Sequence, residues 1–311
     1  MCKFENLKIN YLIINLLDNL KRCLFIEIYI NGKTAQFHGH AWRFVAMQYF
    51  LSLSLFWVCS VQGQELNPSG KTIAERFVVP KGYQRITTAK GTFANYLRSF
   101  PLETADAKVR FYDGQIKSPS YETAVLAIDV GQKDLQQCAD AVMRLRSEYL
   151  YQEKEWSKIG FKNFAGERMD YVRYQQGYRM TAKGYQKVAN PDYSKAGFRQ
   201  YLDMVFNYAN TFTFEKELTT QPLKNLQVGD VFIVSNPKRY GHAMLVMDVA
   251  ENPKTKDKVF LLAQSYMPAQ SIHIVQNPSS SISKVWYSVG EITDELVTPE
   301  WTFTANALRR F

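Results

Sequence analysis

Gly241-His242-Ala243-Met244-Leu245-Val246-Met247-Asp248-Val249-Ala250, then the turn-forming Glu251-Asn252-Pro253, then Lys258-Val259-Phe260-Leu261-Leu262-Ala263-Gln264-Ser265-Tyr266, is the stretch that decides the fold. Two short apolar runs flanking a turn read as antiparallel strands. The first is apolar on both faces, which marks a central strand. If residues near Ala250 pair with residues near Lys258, counting back along both strands sets His242 opposite a position between Gln264 and Tyr266.

Working outward, Gly229 to Val234 predicts another strand, Asn236-Pro237 to Gly241 a loop, and Ile272 to Gln276 a strand beyond Pro268. Upstream, Asp134 with Gln137 three residues later has a capping-box spacing, and Leu135, Cys138 or Ala139, Val142, Leu145 and Tyr149 follow at helical intervals. That helix would carry Cys138 one turn in. A second helix spans about residues 198–210, striped by Tyr201, Leu202, Val205 and Phe206, and a third follows Thr92 with Phe93, Tyr96, Leu97 and Phe100. Lys71 to Val79, Val109 to Tyr112 and Thr123 to Val130 read as strands. Helices followed by a run of adjacent strands predict an α+β fold with an antiparallel sheet.

The N-terminus has a different character. Phe44 to Val61 is almost wholly apolar, follows Arg43, and ends before a polar stretch, as a secretory signal does. A membrane anchor is the other reading of such a run. The expected organisation is an upstream extension at 1–46 with the true start near Val45 or Met47, a signal peptide at 47–63, and one exported α+β domain at 64–311. That domain would be periplasmic or extracellular, with no stable membrane span once the signal is removed.

The four cysteines are Cys2, Cys23, Cys59 and Cys138, so the exported part retains a single thiol and no internal disulfide. The exported part keeps 32 Lys/Arg against 26 Asp/Glu, a net +6 that suits an anionic envelope surface but is too spread out for nucleic acid. With 46% hydrophobic residues, the chain has ample material for a core.

A thiol nucleophile needs a base, and the base needs a group that fixes its tautomer. Cys138, His242 and Gln264 supply those types in that order, and Gln132 is a candidate oxyanion donor six residues before the cysteine. His273 is the other histidine of the exported part, and no metal-ligand spacing accompanies it, so no metal or cofactor is expected. Ser69-Gly70-Lys71-Thr72 ends like a phosphate loop, but Glu65 stands where the leading glycine belongs. The Tyr/Arg/Lys-rich span, with Tyr171, Arg173, Tyr174, Tyr178, Arg179 and Tyr185, offers rings for sugars, or more plainly a solvated and partly buried loop region.

The cysteine helix, the Gly229-Asp230 strand and the Gly241-His242 strand together resemble the papain-like amidases of bacterial envelopes, of the NlpC and CHAP type. The resemblance implies a papain-like core in which a Cys-bearing helix packs on an antiparallel sheet, with Gln264 completing the triad. It further implies hydrolysis of amide bonds in cell-wall peptide. More closely, residues 134–151, 229–234, 241–250 and 260–274 resemble an uncharacterised secreted family of Bacteroidetes-type bacteria, a domain of unknown function. The competing expectation is a non-catalytic envelope protein in which the same fold binds glycan, peptide or a protein partner, with Cys138 a packed core residue.

Overall fold

The computed structural model describes residues 65–236 and 239–311. The described residues all belong to one compact unit, Gln62–Phe311. The extension at 1–46 and the signal at 47–63 lie outside the described residues.

In chain order the helices are α1 (Ile73–Arg76), α2 (Phe93–Arg98), α3 (Cys138–Gln152), α4 (Tyr171–Gln175), α5 (Lys195–Tyr208) and α6 (Thr211–Glu215). The first strands are β1 (Gln84–Arg85), β2 (Glu122–Val125), β3 (Gly160–Lys162), β4 (Arg168–Asp170), β5 (Tyr178–Thr181), β6 (Gly184–Lys187) and β7 (Thr219–Thr220). Then come β8 (Val231–Asn236), β9 (Arg239–Glu251), β10 (Lys258–Gln264), β11 (His273–Val275) and β12 (Tyr287–Ser288). The last are β13 (Glu295–Val297), β14 (Thr302–Thr304) and β15 (Leu308–Arg310).

The architecture is α+β. One antiparallel sheet runs β2-β11-β10-β9-β8-β15-β7, with β1 also on β9 and β12 also on β10. The strand read as central is central: β9 lies between β8 and β10, and both its faces are covered. Ala243, Leu245 and Met247 join Ile233, Leu261, Ala263 and the buried side of α3 in one cluster. Met244, Val246 and Val249 join Phe232, Phe260, Leu262 and Phe303 in the other. Helix α5 starts at Ser194, whose hydroxyl accepts the Gly197 N–H, and buries Phe198, Tyr201, Leu202 and Val205 completely. Each such side chain contributes about 1.5–3 kcal/mol on leaving water.

One irregularity in β9 sets the parity of the centre. Phe260 pairs with Val249 and Leu261 with Asp248, but Leu262 pairs with Val246, so Met247 is an extra residue on β9. Paired residues share a face, and a one-residue slip exchanges the faces. Without the bulge, Gln264 would stand beside Leu245 on the α3 side. With it, Gln264 comes to the side that carries Met244 and His242.

Next to the bulge, Asp248 is fully buried and bears two arginines, Arg85 through Nε at 2.6 Å and Arg98 through Nε at 2.7 Å. Arg98 also donates to the carbonyls of Ile86 and Val249, and Arg85 to that of Phe77. This cluster ties residues 77–98 to the central strand.

Three expectations need correction. Residues 71–79 hold the short helix α1 rather than a strand, because the Thr72 hydroxyl caps it and Ile73 and Phe77 bury one turn apart. Residues 109–112 make only isolated bridges, Arg110 with Ile116 and Phe111 with Gln270. The Tyr-rich span is structured as two hairpins and α4, and Tyr171, Tyr174 and Tyr185 are core residues. Its arginines stack on its own rings, Arg173 over Tyr178 and Tyr185 and Arg179 over Tyr174. No helix among the described residues is long and apolar enough to cross a membrane.

Asp248→Ala leaves two arginines around an unoccupied buried position. Urea unfolding of this variant should show a loss of about 3–5 kcal/mol, the scale for breaking a buried ion pair by removing one partner. A loss below about 1 kcal/mol would show that the cluster does not hold the N-terminal segment.

Candidate functional site

Helix α3 begins at Cys138 itself, with Gln137 as its N-cap, not one turn earlier at Asp134. The capping carboxylate is Asp140, whose Oδ2 accepts the Gln137 N–H at 3.0 Å. Asp134 is drawn away, accepting the Ala269 N–H at 2.6 Å and the Gln137 side-chain amide at 3.1 Å. Cys138 therefore occupies the first helical position, where backbone N–H groups have no intrahelical acceptor.

The thiol is free and 6% exposed. It lines a cleft of about 310 Å³ with Asp134, Asp140, Thr211, Tyr240 and Gly241. Its sulfur is 3.9 Å from the Thr211 hydroxyl and 3.9 Å from the Gly241 carbonyl. Burial, followed by the Asp140 charge, pushes the thiol up to about 11, against hydrogen bonds from Thr211 and from the backbone of Ala243 and Ala139. Gly241 has to be glycine, since a Cβ there would lie 2.4 Å from the Val234 carbonyl oxygen.

His242 is buried, and its Nε2 donates to Gln264 Oε1 at 2.8 Å. An amide oxygen only accepts, so the proton is on Nε2 and Nδ1 keeps its lone pair. That Nδ1 is buried with no hydrogen-bond partner. The ring packs against Tyr266, Trp301 and Phe303 at centroid distances of 4.8, 5.4 and 5.8 Å. Burial lowers its pKa to about 3, aided by the nearby His273 and Lys117 and opposed by the Gln264 hydrogen bond.

Behind Gln264 lies a polar chain. Gln264 pairs with His273 across β10 and β11, and its Nε2 is 3.4 Å from His273 Nε2 and 2.7 Å from Glu300 Oε2. Lys117 Nζ meets both Glu300 oxygens, at 2.6 and 2.7 Å. His273 Nδ1 donates to the Ser271 carbonyl, and burial lowers its pKa to about 4.

Of the four residues read from the sequence, His242 and Gln264 are in direct contact. Cys138 abuts the β9 backbone at Gly241 and Ala243, on either side of His242. Alternation along β9 sends the imidazole to the opposite face, toward Phe303, and no hydrogen bond joins it to the thiol. Gln132 is exposed and lines a different cleft with Asp129, Gly131 and Ser271. Asp230 of the Gly-Asp step is buried and clamps Arg310 of β15 at 2.6 and 2.8 Å. Lys117 and Glu300 carry no signal in the sequence, and His273 stands out there only as a possible metal ligand. Among the described residues no group of three His, Cys, Asp or Glu side chains converges to hold a metal.

These groups give a signed pH dependence. Between about pH 6 and 4.5 the unfolded chain protonates both histidines while the folded chain does not. Their stabilisation is present above about pH 6.5 and is lost as pH falls toward their folded values of about 3 and 4. Asp140 acts oppositely: burial raises it to about 8, so acidification favours the folded state until its ordinary value of 3.8. Taken alone, these three groups give a net uptake of one proton and a loss of about 1.4 kcal/mol per pH unit in this window, and Asp140→Asn should steepen the measured slope by about 1.4. Urea melts at stepped pH measure both slopes, and equal slopes would rule out a protonated, buried Asp140.

A family model described as Domain of unknown function (4846) matches residues 73–310. No curated protein and no solved structure matches the chain. The matched segment runs from α1 through β15 and contains the thiol helix, His242, Gln264 and Glu300, so the chain belongs to the family described as Domain of unknown function (4846).

Proposed function

We propose that this protein is a thiol hydrolase of amide bonds with a papain-like core, exported through the apolar segment near residues 47–63 and acting on cell-wall peptide. Cys138 is the nucleophile, His242 the base and acid, and Gln264 the group that orients it. The observation that carries the reading is the free Nδ1 lone pair of His242, on a strand whose backbone touches the Cys138 thiol at the residues before and after that histidine. In the resting structure the ring lies across β9 from the thiol, so this chemistry requires His242 to turn into the cleft as substrate binds.

In this reading the resting pair is neutral, thiol and imidazole, because burial raises the one and lowers the other. Nδ1 takes the thiol proton as sulfur bonds to the substrate carbonyl carbon, and the oxygen becomes an oxyanion. The Cys138 N–H, first of the helix, is the donor placed to meet that charge, the part that the sequence suggests for Gln132. Collapse breaks the C–N bond, and the leaving amine takes the proton from Nδ1. Water then cleaves the thioester by the same proton path and restores the thiol.

A specific observation favours a second reading, a binding protein built on the same core: the thiol is nearly closed to solvent and unbonded to the imidazole. Alkylation separates the two. Under the hydrolase reading, iodoacetamide labels Cys138 of the folded chain at pH 7, and the rate drops at least about tenfold in His242→Ala. Release of fragments from peptidoglycan stem peptides, read by mass spectrometry, should fall by a factor of about a thousand or more in Cys138→Ala. Equal labelling rates in both chains, rising with hydroxide alone, would assign the thiol to the core and the protein to binding.

A further inference from the structure

The His242–Gln264 contact works only if the Gln264 amide presents its oxygen to the imidazole. An amide can be turned either way, and the reverse orientation would aim its NH2 at His242 Nε2. Nε2 would then have to accept, the proton would move to Nδ1, and the free lone pair would be lost. Something beyond Gln264 has to choose.

Glu300 makes the choice. Its carboxylate only accepts, and its Oε2 is 2.7 Å from the Gln264 nitrogen. Turned around, the amide oxygen would face a carboxylate oxygen across a partly buried 2.7 Å contact, two acceptors with no proton between them. Lys117 holds Glu300 in place, with contacts to both carboxylate oxygens and a side chain only 9% exposed. His273 casts a second vote. Its Nδ1–H is committed to the Ser271 carbonyl, so its Nε2 is an acceptor that also calls for the NH2 side of Gln264, at 3.4 Å.

We propose that Glu300, anchored by Lys117, is a positioning residue that fixes the orientation of the Gln264 amide and so determines which nitrogen of His242 is free. It does this without touching the imidazole. The turn between β13 and β14 carries both Glu300 and Trp301, so one turn sets the tautomer and supplies a ring against the same histidine. Thr298 braces that turn, its hydroxyl donating to the Trp301 carbonyl at 2.6 Å and accepting the Trp301 N–H at 3.2 Å. The inference gives the proposed hydrolase site its base, yet its test needs no catalysis.

Long-range ¹H–¹⁵N correlation spectra of the full chain labelled at histidine report the tautomers directly, with His242→Asn and His273→Asn assigning the signals. At pH 7 the expected result is opposite tautomers, Nε2–H for His242 and Nδ1–H for His273. In Glu300→Gln the His242 pattern should shift toward Nδ1–H, because a neutral amide at 300 accepts either face of Gln264. Lys117→Arg, which keeps the cation, should retain the wild-type pattern. If Glu300→Gln fails to fold, the exchanged pair Gln264→Glu/Glu300→Gln serves instead, with the carboxylate at 264 holding His242 as Nε2–H. An Nδ1–H His242 in the wild type overturns the proposal, as does an unchanged Nε2–H in folded Glu300→Gln, or an Nδ1–H His242 in the exchanged pair. Wild-type tautomers as expected in a chain whose thiol labels identically with and without His242 would sink the hydrolase reading and leave the role of Glu300 standing.

Discussion

The candidate site depends on one extra residue. Met247 bulges from β9, and beyond it every residue of β10 faces the other way relative to β9. That inversion brings Gln264 to the His242 face, and because Gln264 pairs with His273, a second histidine arrives on the same side. Glu300 and Lys117 can then close on the amide from the loops. The Asp248–arginine cluster sits at the bulge itself, so the irregular backbone is held by buried charge rather than by apolar packing alone.

Two opposite electrostatic choices meet around β9. The thiol stands at a helix start, where the macrodipole and backbone N–H groups favour a thiolate, yet burial and Asp140 outweigh them. The imidazole is kept neutral by burial with a cation in its surroundings. Both shifts move the pair away from a preformed thiolate–imidazolium couple. Chemistry here would therefore begin with a proton transfer coupled to attack, and any water displaced by substrate would strengthen the field at that moment.

Much of the central fold is legible in the sequence because it is local. The apolar runs around His242 and Phe260, the turn at Asn252-Pro253 and the stripes of α3 and α5 all follow from period and punctuation. The count that sets His242 opposite a position between Gln264 and Tyr266 succeeds through compensation: Lys258 pairs with Glu251 rather than Ala250, and the bulge removes that one-residue error. The start of α3 misleads because two boxes overlap, Asp134 with Gln137 and Gln137 with Asp140. Ala269, distant in sequence, takes Asp134 and decides between them. Residues 71–79 turn helical for a similar reason, since tertiary packing of Ile73 and Phe77 overrides a weak strand pattern. Glu300 and Lys117 lie in loops without periodicity, and only the folded chain shows that they meet.

The C-terminal hairpin also sets an order of events. β15 inserts between β8 and β7, and the β13–β14 turn before it brings Trp301 against the histidine and Glu300 against Gln264. The thiol helix, β9 and β10 all emerge from the ribosome earlier. The base would acquire its fixed proton only when the last strands dock, so synthesis itself delays the maturation of the site until the sheet is closed.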